Sequence, residues 1–189
     1  MLNKKIKKIL KFNYLKKDIV LITIHRRENI DTGIKSLCRA IKILSIKYPN
    51  CQFIMPVHPN PKVKNFIFHY LYNRAKNIHL TKPLDYEVFL LLMKNSKFIL
   101  TDSGGIQEEA PSLGKPVLVL RKTTERTKSI ELKNSLLIGS QLNNIVKKCD
   151  LLFKNKKVLL SMSKINNIYG DGKASQRIIR ILKKIKFND

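Results

Sequence analysis

The chain has 189 residues, of which 43% are hydrophobic and 27% are charged, and its formal net charge is +25. This length and composition are ordinary for one globular domain with a proper hydrophobic core. No apolar run approaches the roughly 20 residues that span a bilayer, and residues 1–17 lack the apolar stretch of a signal peptide. We therefore expect a single domain without a membrane segment, and a cytoplasmic location.

The net charge comes from 38 basic and 13 acidic residues. Such an excess often indicates a nucleic-acid partner or an anionic membrane surface. Here, most basic residues are lysines spread through every segment, and isoleucine and asparagine are also abundant. All three are encoded by A/T-rich codons, so coding bias explains the charge. With no aromatic stripe for base stacking, we expect no nucleic-acid partner and no membrane partner.

The three cysteines, Cys38, Cys51 and Cys149, are scattered along the chain. Their odd number argues against a disulfide framework, and their spacing matches no common metal motif. We therefore predict three structural thiols and no metal site.

Apolar runs alternate with amphipathic segments along the chain. A basic N-terminal segment, residues 1–18, precedes a domain formed by residues 19–189. Strands are predicted at residues 19–24, 52–57, 78–80, 98–100, 117–120 and 136–139, with helices at 33–48, 63–75, from about 85, 106–113 and from 143 onward. This order predicts an α/β fold: a single Rossmann-like domain with a parallel sheet covered on both faces, followed by C-terminal helices.

Polar residues follow five of the predicted strands. In a doubly wound sheet, these loops gather at one edge, where ligands bind. Histidine, arginine, carboxylate and glycine in such loops favour a phosphorylated, hydroxyl-rich ligand. The loops lie at residues 25–28, 58, 84–89, 103–109 and 121–126.

The most informative loop is Ser103-Gly104-Gly105, between a buried strand and a helix. Glycine lets a ligand approach the backbone closely, and the first amides and positive dipole end of a helix attract anions. Arg126 is able to add a bidentate charge to a phosphate, and Glu109 to accept hydrogen bonds from ribose hydroxyls. The alternative is a simple tight turn followed by an exposed acidic helix face.

Six motifs in order closely resemble the C-terminal half of the non-hydrolysing UDP-N-acetylglucosamine 2-epimerases. The resemblance runs from about Ile19 to the C-terminus, and the 19-residue block is the most specific part. The motifs are TIHRREN at 23–29, PVHPNP at 56–61, PLDYEVF at 83–89, TDSGGIQEEAPSLGKPVLV at 101–119, TER at 124–126 and YGDGKAS at 169–175.

This resemblance implies one half of a GT-B-type architecture, in which two Rossmann-like domains face each other across a cleft. It also implies interconversion of UDP-N-acetylglucosamine and UDP-N-acetylmannosamine, by elimination and re-addition of UDP, without a cofactor or a metal. Family members are homo-oligomers and supply polysaccharide biosynthesis. The substrate partner implied here is UDP-N-acetylglucosamine, with a separately encoded N-terminal domain as a possible second partner.

The resemblance also assigns residue roles by position. It implies that His25 is catalytic and reaches the sugar–phosphate region. The UDP-binding residues that it implies are Leu84 and Phe89 at the uracil, Ser103, Gly104 and Gly105 at the diphosphate, Glu109 at the ribose and Arg126 at the phosphates. Three further residues match an allosteric site for a second UDP-N-acetylglucosamine, namely Arg26, Glu28 and His58.

The chain also departs from the family pattern. The family's N-terminal domain, which carries the carboxylates thought to move the C2 proton, has no counterpart here. Thr127-Lys128 replace the usual Pro-Glu, and Ile168 replaces a proline before Tyr169. Two hypotheses follow: an epimerase half that works with a separate N-terminal partner, or a catalytically inactive remnant that binds UDP or a UDP-sugar.

Overall fold

Parallel strands form the central sheet of the computed structural model, which describes residues 2–10, 12–29 and 32–185. In these residues the sheet has six strands in the order β3-β2-β1-β4-β5-β6, all neighbours parallel. The predicted parallel α/β sheet is therefore confirmed. The strands are β1 (Ile19–Thr23), β2 (Gln52–Pro56), β3 (Ile78–Thr81), β4 (Phe98–Thr101), β5 (Val117–Val119) and β6 (Ser135–Leu137).

Helices connect the strands and continue beyond the last one. They are α1 (Leu2–Leu10), α2 (Thr32–Lys47), α3 (Pro61–Leu71), α4 (Tyr86–Asn95), α5 (Gly104–Glu109), α6 (Thr127–Glu131), α7 (Leu142–Lys154), α8 (Lys156–Met162) and α9 (Ala174–Leu182).

Two predicted helices have wrong boundaries. The helix expected over residues 63–75 is α3, which spans Pro61–Leu71; it ends there because Tyr72 is extended and Asn73 adopts a positive φ of 52°. The helix expected from residue 106 begins two residues earlier at Gly104, and it continues as a 3-10 turn over Ala110–Leu113.

Both faces of the central strands are buried, which explains why β1, β4 and β5 are almost entirely apolar. Successive side chains of a strand point to opposite faces. Val20 and Ile22 therefore pack into the larger core cluster with α2, α3 and α7, while Ile19 and Leu21 pack into the second with α1 and α4. All four side chains are inaccessible to solvent.

The lysine-rich N-terminal segment packs onto the second face of the sheet. Ile6, Leu10 and Tyr14 are buried there, whereas Ile9 is 37% exposed. Apolar residues four apart lie on one face of a helix. Lys7 and Lys8 therefore remain exposed while α1 covers the sheet.

The C-terminal α9 is different, because none of its residues is buried. Its large apolar side chains are about half exposed, at 56% for Ile178, 52% for Ile179 and 60% for Ile181. None of the helices in the described ranges combines the length and hydrophobicity that crossing a membrane requires.

The sheet order creates a crevice between β1 and β4, which are neighbours although they are distant in sequence. The chain leaves β1 toward β2 on one side and leaves β4 toward β5 on the other. Connections that diverge in this way open a gap at the carboxyl ends of the strands, where doubly wound sheets bind ligands.

Candidate functional site

A cleft of about 240 Å³ lies at this carboxyl edge. It brings together four of the residues predicted from the sequence, His25, His58, Leu84 and Ser103. The other lining residues are Thr23, Ile24, Pro56, Val57, Pro59, Pro83 and Ile106. The cleft therefore has a mostly apolar lining that includes two imidazoles, and it lies beside the glycine turn of residues 103–105.

The two imidazoles lie in the loops that follow the neighbouring strands β1 and β2, and their rings stack on each other. The ring centroids of His25 and His58 are 5.8 Å apart, with an interplanar angle of 19°. His25 Nδ1 also lies 3.1 Å from Oδ1 of Asp102. This hydrogen bond raises the pKa of His25, while partial burial and the charge of Arg26 oppose the rise.

Asp102 follows β4 directly and is completely buried. Its carboxylate is directed to the loop after β1. Oδ2 accepts hydrogen bonds from the amide nitrogen of Arg26 at 2.9 Å and from Nδ2 of Asn29 at 3.0 Å, and the amide of His25 is 3.2 Å from both oxygens. Asp102 therefore joins the ends of β1 and β4.

The glycine turn opens α5 as its first helical turn. Ser103 is extended and precedes the helix, and its amide donates to Oγ1 of Thr101 at 2.9 Å. Gly104 and Gly105 are the first two residues of α5. The first amides of a helix have no partner within the helix, so this turn offers N–H donors beside the cleft.

Arg126 lies directly against Gly104. A methyl group added at Gly104 would lie 3.1 Å from Cζ of Arg126. The guanidinium is held there by Oε1 of Glu108, 2.8 Å from Nε, and by Oε2 of Glu125, 3.2 Å from Nη1. Since a guanidinium has five N–H donors, these two bonds leave donors for an anion at the helix start.

A buried glutamine fixes the loop that carries Arg126. Gln107 is inaccessible to solvent, and its Oε1 accepts from Oγ1 of Thr124 at 2.8 Å while its Nε2 donates to the carbonyl of Ser103 at 3.1 Å. The sequence analysis did not predict these two hydrogen bonds of Gln107. A pattern that indicates them was present, because Gln107 is a polar residue on an otherwise apolar helix face.

Five of the predicted UDP-binding residues do not line the cleft, namely Phe89, Gly104, Gly105, Glu109 and Arg126. Arg126 and Glu109 are at the α5 side, where Oη of Tyr86 donates to Oε2 of Glu109 at 3.0 Å. Phe89 lies on α4 and packs, partly buried, against the second core cluster. These residues therefore lie around α4 and α5. Among the described contacts, none joins Phe89 to either imidazole.

The residues matched to an allosteric site are divided between two places. Arg26 donates from Nε to the carbonyl of Asp102 at 3.0 Å, next to the cleft. Glu28 instead pairs with Nε of Arg121 at 3.1 Å, and Nη1 of Arg121 also lies 3.3 Å from Glu125. Arg121 was not predicted as a site residue, although it lies two residues after the end of β5. It links the loop after β1 to the loop that carries Arg126.

The cysteines stay apart as free buried thiols. Burial raises the pKa of Cys38 and of Cys51 to about 12. Within residues 2–10, 12–29 and 32–185, no group of three or more histidine, cysteine, aspartate or glutamate side chains is arranged to hold a metal ion.

The sequence profile of one protein family, described as UDP-N-acetylglucosamine 2-epimerase, matches residues 1–183. The chain belongs to this epimerase family. The sequence resemblance is therefore confirmed.

Characterised relatives and solved structures agree with the family assignment. The epimerase-family chain is 47% identical over 173 residues to the UDP-N-acetylglucosamine 2-epimerase of Campylobacter jejuni, covering 92% of this chain and 45% of that protein. It matches the crystal structure of the Neisseria meningitidis UDP-GlcNAc 2-epimerase bound to UDP-GlcNAc with a TM-score of 0.88 and 43% identity, over 96% of this chain and 50% of that one. The Methanocaldococcus jannaschii enzyme, in complex with UDP-GlcNAc and UDP, matches with a TM-score of 0.76 and 34% identity, over 96% and 51% of the two chains.

The chain thus spans about half the length of the relatives it matches. This span agrees with the predicted fold class, an α/β Rossmann-like domain that corresponds to one half of a GT-B-type epimerase.

Proposed function

We propose that this chain is the C-terminal, UDP-binding half of a UDP-N-acetylglucosamine 2-epimerase. The observation that carries the proposal is the close approach of Arg126 to Gly104 at the start of α5, beside the cleft that His25 lines. Helix-start amides and a guanidinium together suit a diphosphate. Support also comes from structural neighbours that bind UDP-GlcNAc.

In the proposed complex, Ser103, Gly104 and Gly105 contact the diphosphate together with Arg126. Glu109 accepts hydrogen bonds from the ribose. Leu84 and Phe89 border the uracil, and His25 faces the bond between sugar and phosphate. Arg26, Glu28 and His58 are proposed to contribute to an allosteric site for a second UDP-N-acetylglucosamine.

The proposed reaction begins with elimination of UDP, which leaves a glycal, and ends with its re-addition after inversion at C2. The departing UDP develops negative charge, which preorganised amides and an arginine stabilise more than the ground state. His25 is suited to donate a hydrogen bond or a proton to the leaving oxygen. Stabilisation of the departing UDP uses only residues of this half, whereas formation of the C1=C2 double bond of the glycal also requires a base that accepts the C2 proton.

Removal of the C2 proton requires a base, and we propose that the base belongs to a separately encoded N-terminal domain. The exposed apolar side chains of α9 are consistent with a missing neighbour, as is the half-length match to the relatives. In this proposal the two chains form one cleft in the cytoplasm, and the assembly is a homo-oligomer of such pairs.

A titration of UDP, monitored by calorimetry, tests the binding site. Arg126→Ala is expected to lower the affinity by about tenfold to a hundredfold, because a hydrogen bond to a charged group contributes roughly 1.5–3 kcal/mol. Arg177→Ala is the matched control, since Arg177 also pairs with a carboxylate, Asp171 at 2.7 Å, but on α9. Equal UDP affinity in the Arg126 and Arg177 variants would contradict the assignment.

Deuterium incorporation at C2 of UDP-N-acetylglucosamine separates the active half from the inactive remnant. Exchange is expected only when the chain is mixed with a family N-terminal domain. UDP binding without exchange in either mixture would favour the remnant. Binding of polyanions through the many lysines would instead show affinity that collapses with added salt.

A further inference from the structure

Four donor nitrogens converge on the buried carboxylate of Asp102, and two of them belong to His25. His25 is bound through its amide, 3.2 Å from Oδ1 and Oδ2, and through its ring nitrogen Nδ1, 3.1 Å from Oδ1. The Arg26 amide and the Asn29 side chain make the other contacts. A residue held at its backbone and at its ring has little freedom to rotate.

We propose that Asp102 is a positioning residue for His25, fixing the ring orientation and keeping a proton on Nδ1 so that Nε2 is the nitrogen available to a ligand. This inference rests on the proposed function, in which His25 faces the leaving phosphate, and it adds a residue that neither the family resemblance nor the comparisons assign.

The proton location follows from the chemistry of the pair. An ionised carboxylate only accepts hydrogen bonds, so Nδ1 at 3.1 Å from Oδ1 must carry a hydrogen. Asp102 remains ionised because the hydrogen bonds from His25, Asn29 and the Arg26 amide outweigh its burial, and its pKa is lower than usual. A carboxylate bound to Nδ1 in this way sets the tautomer of an imidazole.

The charged form of His25 is the form that a departing diphosphate requires. An ordinary histidine has a pKa near 6.5 and is mostly neutral at physiological pH. The bond to Asp102 raises the pKa of His25, so more imidazolium is present to donate from Nε2. Two effects oppose this rise, the partial burial of the His25 ring and the charge of Arg26.

A purely structural role for Asp102 is the competing explanation, since its bonds to Arg26 and Asn29 alone would tie the β1 loop to β4. The two roles differ in their consequence for the His25 ring. A purely structural role predicts that loss of the Asp102 charge weakens UDP binding equally at every pH, whereas a positioning role predicts a loss that follows the protonation of His25.

The test is an NMR titration of the full chain, in which ring 15N shifts give the tautomer and 13C–1H shifts give the pKa of each histidine. For the wild type, we expect the Nδ1–H tautomer of His25 above its pKa and a pKa above 6.5. Asp102→Asn, which keeps the shape and removes the charge, is expected to lower that pKa. His79, which pairs with Gln52 at 2.7 Å on the β2–β3 side of the sheet, is the internal control and should not change.

Measurement of UDP affinity as a function of pH tests whether the pair of His25 and Asp102 contributes to binding. Because the imidazolium favours the anionic ligand, affinity is expected to be highest below the pKa of His25 and to fall as pH rises through it. In Asp102→Asn the fall should move to lower pH and leave a severalfold weaker complex at pH 7. The phosphate of UDP also titrates near pH 6, but it does so equally for both proteins and cancels in their comparison.

Several results would overturn the inference. These are an Nε2–H tautomer in the wild type, a His25 pKa at or below 6.5, or an Asp102→Asn variant whose loss of UDP affinity is the same at every pH. The tautomer and the pKa of His25 in the wild-type protein test the inference even if the Asp102→Asn variant does not fold. Should UDP fail to bind at all, the proposed function fails, while the NMR measurements still decide the role of Asp102.

Discussion

At the residue scale, the absence of a side chain at Gly104 lets the guanidinium of Arg126 lie against the start of α5. Gly105 is different, because among the described residues an added methyl group there would have only Oγ of Ser103 within 4 Å, at 4.0 Å. The two glycines therefore have distinct roles, although they are adjacent in the sequence. Gly104 makes room for the arginine, and Gly105 is open to the surroundings.

Alanine substitutions separate these roles. Gly105→Ala is expected to raise the stability by up to about 1 kcal/mol, since alanine favours the helix over glycine. Gly104→Ala should give a smaller gain or a loss, because its methyl group displaces Arg126. Urea unfolding measures both. In an Arg126→Ala background the difference between the two variants should disappear, and a difference that persists would contradict the contact.

At the scale of the element, α1 shows that a lysine-rich segment can be part of the core. The sequence suggested only a basic segment before the domain, because four apolar residues among lysines are a weak pattern. The structure buries Ile6 and Leu10 on the sheet and leaves Ile9 partly exposed. The helix therefore closes one end of the second core cluster.

Truncation of two isoleucines in α1 tests this packing. Ile6→Ala is expected to lower the free energy of unfolding by about 2–5 kcal/mol, as for other large-to-small changes in a core. Ile9→Ala removes the same atoms from the outer face and should change it much less. Chemical denaturation of both variants gives the comparison. Equal losses would mean that α1 is not docked on the sheet as described.

At the scale of the whole molecule, the domain has a complete sheet but an unburied terminal helix. The core elements α2, α3 and α7 cover one face and α1 and α4 the other. In contrast, α9 contributes no buried residue. We therefore expect folding of the sheet not to depend on α9, whose apolar side chains remain exposed.

Serine at Ile178 and Ile181 tests this independence. The double variant is expected to leave the free energy of unfolding within about 0.5 kcal/mol per site, as for surface changes, because isoleucine and serine have similar helix propensities. Leu152→Ala on α7 is the control, since Leu152 is buried and its truncation should be strongly destabilising. A large loss from the α9 variant, measured by urea unfolding, would show that α9 packs on this domain.

The sequence by itself determined the parallel sheet and the edge at which the polar loops meet. Strands buried on both faces must be apolar throughout, and this local pattern is visible in runs such as 19–24 and 98–100. The glycine turn before a helix was equally local, and the structure has Gly104 and Gly105 in the first turn of α5.

Only the tertiary structure decided which distant side chains meet. His25 and Asp102 are 77 residues apart, and they pair because β1 and β4 are neighbours in the sheet. The link from Glu28 through Arg121 to Glu125, and the docking of α1, depend on the same spatial order. Local periodicity specifies elements, but contacts between elements depend on strand order and on the side chains that share each face, which a single sequence does not display.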